Sequence, residues 1–153
     1  MAGTAQKALD TTDAVAEQLS LATEQILVVT PSLRAEAVAE ALRAAAVERG
    51  VAVFIVTLPS TVEAPGSYAP SLALLPNVQI RQALTTRRFA LLSTSAHWVL
   101  VEGALIEQSV QTVGANPTYV LTDTEVIAAR AEHFQKLWRG GAPYTSFIER
   151  DSP

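Results

Sequence analysis

Apolar residues in the first part of the chain switch between helical spacing and short continuous runs. From Gln6 to Ala22 they recur roughly every three or four residues, which predicts a helix that begins with Thr12 or Asp13 as its N-cap. Gln25–Thr30 (QILVVT) and Val51–Leu58 (VAVFIVTL) are apolar runs rich in β-branched residues. Such runs are typical of strands buried on both faces of a sheet.

An alanine-rich segment between these two runs predicts a second helix, from Leu33 to Arg49. Ser32 can cap its first turn, and Gly50 ends it. Strand, helix, glycine and strand in this order form a βαβ unit, whose crossover is right-handed and whose strands are parallel. The first half of the chain therefore predicts an α/β fold.

The second half reads as a loop, several short strands and a last helix. Pro59–Ser71 holds three prolines and a glycine, which indicates an exposed loop that either borders a site or only connects two elements. The predicted strands are Asn77–Arg81, Arg88–Leu92, Trp98–Glu102 and, as the last strand, Thr118–Leu121. Ser93–Ala96 joins the second and third of them in a hairpin. A final helix begins at Thr122 or Asp123 as its cap and ends near Trp138, before two glycines.

Composition agrees with one packed domain over residues 1–153, with 1–7 and 147–153 as flexible ends. Hydrophobic residues make up 49% of the chain and charged residues 17%, so a buried core is expected. No apolar run approaches the ~20 residues that cross a bilayer. The N-terminal sequence contains no apolar signal segment, so a cytoplasmic location is the default expectation.

Charge and residue types exclude several kinds of chemistry. The chain has no cysteine, which rules out disulfides, thiolate metal sites and a thiol nucleophile. Its net charge of −4 argues against a basic surface over the whole protein, although a local basic patch is compatible with it. No P-loop, dinucleotide fingerprint, zinc spacing or Ser-His-Asp arrangement is present, so the sequence predicts neither a metal nor a cofactor.

Three stretches resemble the phospholipase D superfamily, and the chain length resembles its small bacterial endonucleases, which carry one catalytic motif per chain. The resemblance spans about residues 8–146, and the last stretch has Phe134, Trp138 and Gly140 at the end of its helix. The stretches are QILVVTPSLRAEAVAEALRAAAVERGVAVFIVT, NVQIRQALTTRRFALLSTSAHWVLVEG and EHFQKLWRGGAPYTS. The resemblance implies an α/β sandwich, with a mixed sheet flanked by helices on both faces, and a homodimer.

The catalytic motif of that superfamily is degenerate in this chain. The family pattern, His-x-Lys followed after four residues by Asp, falls on TRRFALLS. Thr86 stands where the family has the histidine that attacks phosphorus, Arg88 where it has the lysine that holds phosphate, and Ser93 where it has the aspartate. A threonine hydroxyl is not nucleophilic without an adjacent base, and it is no general acid for the leaving alkoxide. The resemblance therefore implies a phosphodiesterase fold without its catalytic residues.

Two further family positions have also changed. The polar Gly-Ser/Gly-x-Asn stretch of the family is here Gly103–Ile106 (GALI), and the family glutamate falls near Ala115 or Asn116. Neither histidine replaces the missing one in the predicted arrangement. His97 belongs to the hairpin turn, and His133 is expected at an exposed position of the last helix.

Arg81, Arg87 and Arg88 are predicted to cluster around the former catalytic site. Guanidinium groups bind phosphate in a bidentate manner, so these residues either contact a phosphate or nucleic acid or only flank a strand in solvent. Glu102 and Glu107 flank an apolar stretch and are not predicted to form a site.

Three function classes follow from these observations. The first is a catalytically inactive phospholipase D-like protein, a homodimer as the resemblance implies, that binds nucleic acid, a phosphate-bearing ligand near Arg88, or a protein partner. The second is a divergent phosphodiesterase or nuclease with another nucleophile. The third is a purely structural subunit. Trp98, Phe134 and Trp138 are assigned to packing.

Overall fold

Eight strands form one mixed sheet in the computed structural model, which describes residues 7–108 and 117–147. Their order across the sheet is β1-β7-β6-β5-β2-β3-β4-β8. The described elements are β1 Lys7–Leu9, α1 Thr12–Leu19, β2 Gln25–Val29, α2 Glu36–Glu48, β3 Ala52–Thr57, α3 Ala69–Leu72, β4 Val78–Gln82, β5 Phe89–Ser93, β6 Trp98–Glu102, a 3₁₀ turn Ala104–Ile106, β7 Thr118–Leu121, α4 Thr124–Gly140 and β8 Ala142–Pro143.

The predicted βαβ unit is confirmed. β2 and β3 are parallel, with Ile26 opposite Val53, and β4 continues the parallel part of the sheet beside β3. Gly50 ends the crossover helix with a φ of 70°, in the region that favours glycine. The predicted helix start is wrong, because α2 begins at Glu36 and has no side-chain cap. The hydroxyl of Ser32 instead binds the carboxylate of Glu107.

The apolar spacing from Gln6 to Ala22 covers two elements. Lys7–Leu9 forms the edge strand β1, antiparallel to β7, and Lys7, predicted to belong to a flexible end, pairs with Val120. α1 follows, and its N-cap is Thr11, which lies one residue before the predicted cap and accepts a hydrogen bond from the backbone of Ala14. Three residues are too few to show a strand period, so the sequence predicts this helix but not β1.

Two other sequence predictions are corrected near the end of the chain. The loop before β4 is not fully exposed, because Val62 is buried and Ala69 begins the short helix α3. β7 is not the last strand, since β8 pairs with the end of β4. Ala115 and Asn116, near which the family glutamate falls, lie outside the described residues, as do the outer parts of both predicted flexible ends.

The hairpin of β5 and β6 forms the centre of the sheet. It is antiparallel as predicted, with Ser93 opposite Trp98, and β5 is buried along its whole length. Ala90 and Leu92 point to the core beneath α1 and α2, whereas Phe89 and Leu91 point to α4. The chain is therefore a mixed sheet with helices on both faces, which confirms the predicted fold class. No helix in the described ranges is long and apolar enough to cross a membrane.

Candidate functional site

An open groove lies at the end of the sheet where the chain enters β5 and leaves β6. Its volume is about 350 Å³. Its walls come from both hairpin strands, from the turn after β6 and from the start of β7. The lining residues are Arg87, Arg88, Glu102, Gly103, Ala104, Pro117 and Tyr119. Two consecutive arginines of the segment TRRFALLS thus line this groove.

Gly103 fixes the shape of the groove floor. Its φ of 145° is one that residues with a side chain rarely adopt, and its amide donates to the carbonyl of Arg88 at 2.9 Å. A Cβ atom at this position would lie 2.5 Å from the Cα of Thr118. The turn after β6 therefore approaches β7 as closely as only glycine permits.

Arg88 is bound to an internal carboxylate. Its Nε donates to Oε1 of Glu107 at 2.5 Å, and the hydroxyl of Ser32 donates to Oε2 of the same carboxylate at 2.5 Å. The side chain of Glu107 is 14% exposed and that of Arg88 is 40% exposed. The guanidinium of Arg88 is thus partly neutralised within the chain.

Glu102 organises a second polar cluster on the α4 side of the groove. Its carboxylate accepts hydrogen bonds from Arg130 at 2.7 and 3.0 Å and from the hydroxyl of Tyr119 at 2.6 Å. Burial alone would raise the pKa of Glu102, but the hydrogen bonds from Arg130 and Tyr119 outweigh it and hold that pKa below its usual value. Burial and the hydrogen bond to Glu102 raise the pKa of Tyr119.

Arg87 differs from the other two guanidinium groups of the site. It is exposed, and among the described residues no carboxylate lies within 4.0 Å of it. After burial and, for Glu102, its hydrogen bonds, the charge of Arg87 also lowers the pKa of Glu102 and of His133, so it acts on both β6 and α4. Arg87 is therefore the guanidinium of the groove that is available to an anion.

Thr86 is exposed and directly precedes Arg87 and Arg88, which line the groove. Its carbonyl accepts a hydrogen bond from Nη1 of Arg88 at 3.3 Å. Within the described ranges, no imidazole or carboxylate forms a hydrogen bond with its hydroxyl. The geometry supplies no base for this side chain.

Arg81 does not join the predicted arginine cluster. It lies on β4, three strand spacings or about 14 Å from β5. Its Nη1 donates to the carbonyl of Trp138 at 2.7 Å, and its guanidinium lies 4.6 Å from the centre of the Trp138 ring. The C-terminal carbonyls of a helix lack partners within the helix, which explains why α4 holds this cation.

Ser93 lies at the opposite end of β5 from the groove. It is buried, and its Oγ accepts a hydrogen bond from the backbone of Gln25 at 3.1 Å. A serine at this position therefore joins two central strands and contacts none of the groove residues.

The two histidines lie in different environments. His97 is exposed in the hairpin turn, as predicted. His133 is only partly exposed, contrary to prediction, because α4 turns it toward the ring of Phe89, at 6.1 Å between centroids. Burial, followed by the charges of Arg87, Arg130 and Lys136, lowers the pKa of His133. Its Nε2 is buried and has no hydrogen-bond partner in the described part of the chain, and the residue does not line the groove.

Packing predictions for the aromatic residues hold on α4 but not on β6. Phe134 is buried and stacks on Trp138 at 5.6 Å. Trp98 is 38% exposed, contrary to prediction, and forms one wall of a larger cavity of about 570 Å³ at the hairpin end of the sheet. Leu91 and Ile127 form apolar parts of the same cavity.

Sequence reasoning missed Glu102, Glu107, Tyr119 and Arg130 as site residues. A usable signal was present for Glu102, since it ends an otherwise apolar strand (WVLVE) at the edge that carries the motif. The partners Tyr119 and Arg130 are distant in sequence, and only the sheet order brings them to this edge. No group of three His, Asp or Glu residues suited to a metal occurs within the described ranges.

Comparison with solved structures identifies the architecture. NucT from Helicobacter pylori matches with a TM-score of 0.70 and 18% identity, over 93% of this chain and 99% of that one. Nuc from Salmonella typhimurium, a phospholipase D family member, matches with a TM-score of 0.66 and 20% identity, over 86% of this chain and 89% of that one. The chain has the phospholipase D nuclease-like fold. Identities this low establish the fold and not the activity.

The same fold also occurs in a protein of another kind. TrmBL2, described as an archaeal chromatin protein with a novel mode of DNA binding, matches with a TM-score of 0.62 and 15% identity. The match covers 91% of this chain and 54% of that chain, so this protein spans about half of TrmBL2. No protein-family model matches the sequence, and comparison with curated proteins gives no match.

Proposed function

We propose that this protein uses the phospholipase D fold to bind phosphodiester groups of nucleic acid without cleaving them. The observation that carries the proposal is the open groove with the exposed guanidinium of Arg87, which has no carboxylate partner among the described residues and belongs to the segment that resembles the family catalytic motif. A filled apolar junction at this place would favour a purely structural subunit. The groove instead offers cationic and hydrogen-bonding groups to solvent.

The chemistry of the groove hydroxyls supports binding and not cleavage. Among the described residues, none acts as a base beside Thr86. Tyr119 contributes a hydroxyl to the lining of the groove, but its pKa is raised while the pKa of its neighbour Glu102 is lowered. Proton transfer from Tyr119 to Glu102 is therefore strongly unfavourable, and the pair is a poor nucleophile and base.

The charges around the groove predict a weak, salt-sensitive interaction. Three guanidinium groups (Arg87, Arg88 and Arg130) face two carboxylates (Glu102 and Glu107), which leaves one positive charge in a protein of net charge −4. Binding through so few phosphate contacts depends on low ionic strength, and pairing of two grooves would strengthen it. TrmBL2 supports the proposal at the level of the fold, since its description is of a DNA-binding chromatin protein.

Replacing Arg87 tests the proposed contact. Arg87→Ala is expected to weaken binding to a short DNA duplex about fivefold at low salt and to flatten the salt dependence by about one unit of log–log slope, because one phosphate contact is lost. Fluorescence anisotropy across salt concentrations measures both. Arg43→Ala is the matched control, since Arg43 pairs with Glu40 and Glu48 on the exposed face of α2. Absence of DNA binding at low salt would favour the structural alternative.

Catalysis is tested separately with bis-(p-nitrophenyl) phosphate and with plasmid DNA at high protein concentration. We expect no turnover above the rate in buffer alone, since the described groove residues include no competent pair of nucleophile and base. Turnover that survives further purification and disappears in Thr86→Ala would support the divergent phosphodiesterase instead.

We also propose a homodimer whose contact includes Leu84, in the segment that leads into the groove. Leu84 is 84% exposed, which is unusual for a large apolar side chain two residues from a polar site. We expect a dimer in sedimentation at micromolar concentration and a shift to monomer in Leu84→Asp. Leu74→Asp, at a position 45% exposed, serves as control. A wild-type monomer under these conditions would contradict the proposal.

A further inference from the structure

We infer that Arg88 and Ser32 form a second anion-binding position and that the carboxylate of Glu107 occupies it as an internal competitor of the phosphodiester. This inference rests on the proposed function and adds that Glu107 sets the affinity for the phosphodiester. The anion-binding position lies beside Arg87, and the carboxylate of Glu107 already occupies it.

The geometry around Glu107 resembles that of a bound anion. One guanidinium and one hydroxyl converge on the two oxygens of one carboxylate, each at 2.5 Å. Ser32 is 3% exposed and so offers a desolvated donor. A cationic donor and a buried neutral donor that converge in this way suit two oxygens of a phosphate equally well.

Arg88 faces both the internal carboxylate and the groove. It lines the groove, and 40% of its side chain is exposed, so an external anion reaches it without unfolding of the chain. Solvent reaches the guanidinium of this ion pair and screens it there, which limits how much the pair stabilises the fold. The pair is thus open to exchange with a ligand of comparable charge.

The backbone of Glu107 is anchored independently of its side chain. Its amide donates to the carbonyl of Ala104 at 3.0 Å, and its carbonyl accepts from the amide of Arg34 at 3.0 Å. The carboxylate therefore leaves Arg88 by side-chain rotation alone. In the resulting order of events, Arg87 contacts the phosphodiester first, and Arg88 and Ser32 become available when Glu107 turns away.

Removing the competitor is expected to strengthen binding, which a purely structural ion pair would not do. Glu107→Gln should bind the short DNA duplex about tenfold more tightly and show a salt slope steeper by about one unit, since Arg88 gains a phosphate. Glu107→Asp keeps the charge but retracts the carboxylate by one methylene, and it should give part of the same gain. Thermal unfolding of both variants checks that they are folded.

Two controls separate release of Arg88 from a general loss of negative charge. Glu102→Gln removes a carboxylate that lines the same groove but binds Arg130, and it should tighten binding by no more than about threefold. In an Arg88→Ala background, Glu107→Gln should change affinity by less than about twofold, because the two residues act as one unit.

The outcomes distinguish this inference from the proposed function. A gain in Glu107→Gln that persists without Arg88, or one no larger than that of Glu102→Gln, would overturn the inference alone. Arg87-dependent DNA binding that Glu107→Gln leaves unchanged would do the same. Loss of the proposed function itself would show earlier, as wild-type protein whose DNA binding does not depend on Arg87.

Discussion

Gly103→Ala is expected to lower the free energy of unfolding by about 4 kcal/mol, a loss large enough to unfold a marginally stable domain. Two costs add. The φ of 145° is strained for alanine, and the new Cβ would lie 2.5 Å from the Cα of Thr118, which is backbone and does not move aside. Urea unfolding followed by circular dichroism measures the change.

Gly140→Ala is the matched control for this experiment. Gly140 lies in the last turn of α4, and a Cβ there meets no atom within 4 Å. Alanine is the better helix former, so the variant is expected to be unchanged or more stable by up to about 1 kcal/mol. Equal stabilities of Gly103→Ala and Gly140→Ala would show that the turn after β6 relaxes away from β7.

The central elements were predictable because their sequence pattern and their burial agree. β2 and β3 are continuous apolar runs rich in β-branched residues, and they lie side by side as parallel strands in the interior of the sheet. Asp123 caps α4 as its side chain predicted, accepting hydrogen bonds from two backbone amides of the first turn. Where a residue and its neighbours in sequence favour the same secondary structure, tertiary contacts do not change that structure.

The misplaced elements are short or depend on distant partners. β1 has three residues, and what makes it a strand is its pairing with β7, more than a hundred positions later in the chain. Ser32 carries the side chain of a helix cap, yet its hydroxyl binds Glu107. Local propensity identifies what a residue can do, and long-range contacts decide which possibility is used.

The candidate site likewise contains residues that the sequence places together and residues that only long-range contacts bring together. Of the three arginines that the sequence predicts to cluster, Arg87 and Arg88 both line the groove, because consecutive residues at a strand entrance remain together in any register. Arg81 does not, since three strand spacings separate β4 from β5. The sequence also does not indicate Glu107, whose carboxylate changes what Arg88 offers to a ligand. Composition shows the charges of a site but not which of them are already paired.

Phe89→Ala is expected to lower the free energy of unfolding by about 3–5 kcal/mol. The same substitution is expected to weaken DNA binding. Phe89 directly follows Arg88, is fully buried, and fills the space between β5 and α4. Removing the ring leaves a cavity that the central strand of the sheet does not collapse to fill, since β2 and β6 hold β5 on both sides.

The matched control for this variant is Leu74→Ala, at a position 45% exposed, which should change stability by about 0.5 kcal/mol or less. Thermal and urea unfolding, with DNA affinity measured on the folded fraction, separate stability from positioning of the groove. A loss below about 1 kcal/mol would mean that α4 repacks onto the strand. In that case the Gly103 turn and the Arg88–Glu107 contact would determine the geometry at the start of β5. The aromatic core beneath β5 would then contribute little to positioning Arg87 at the groove.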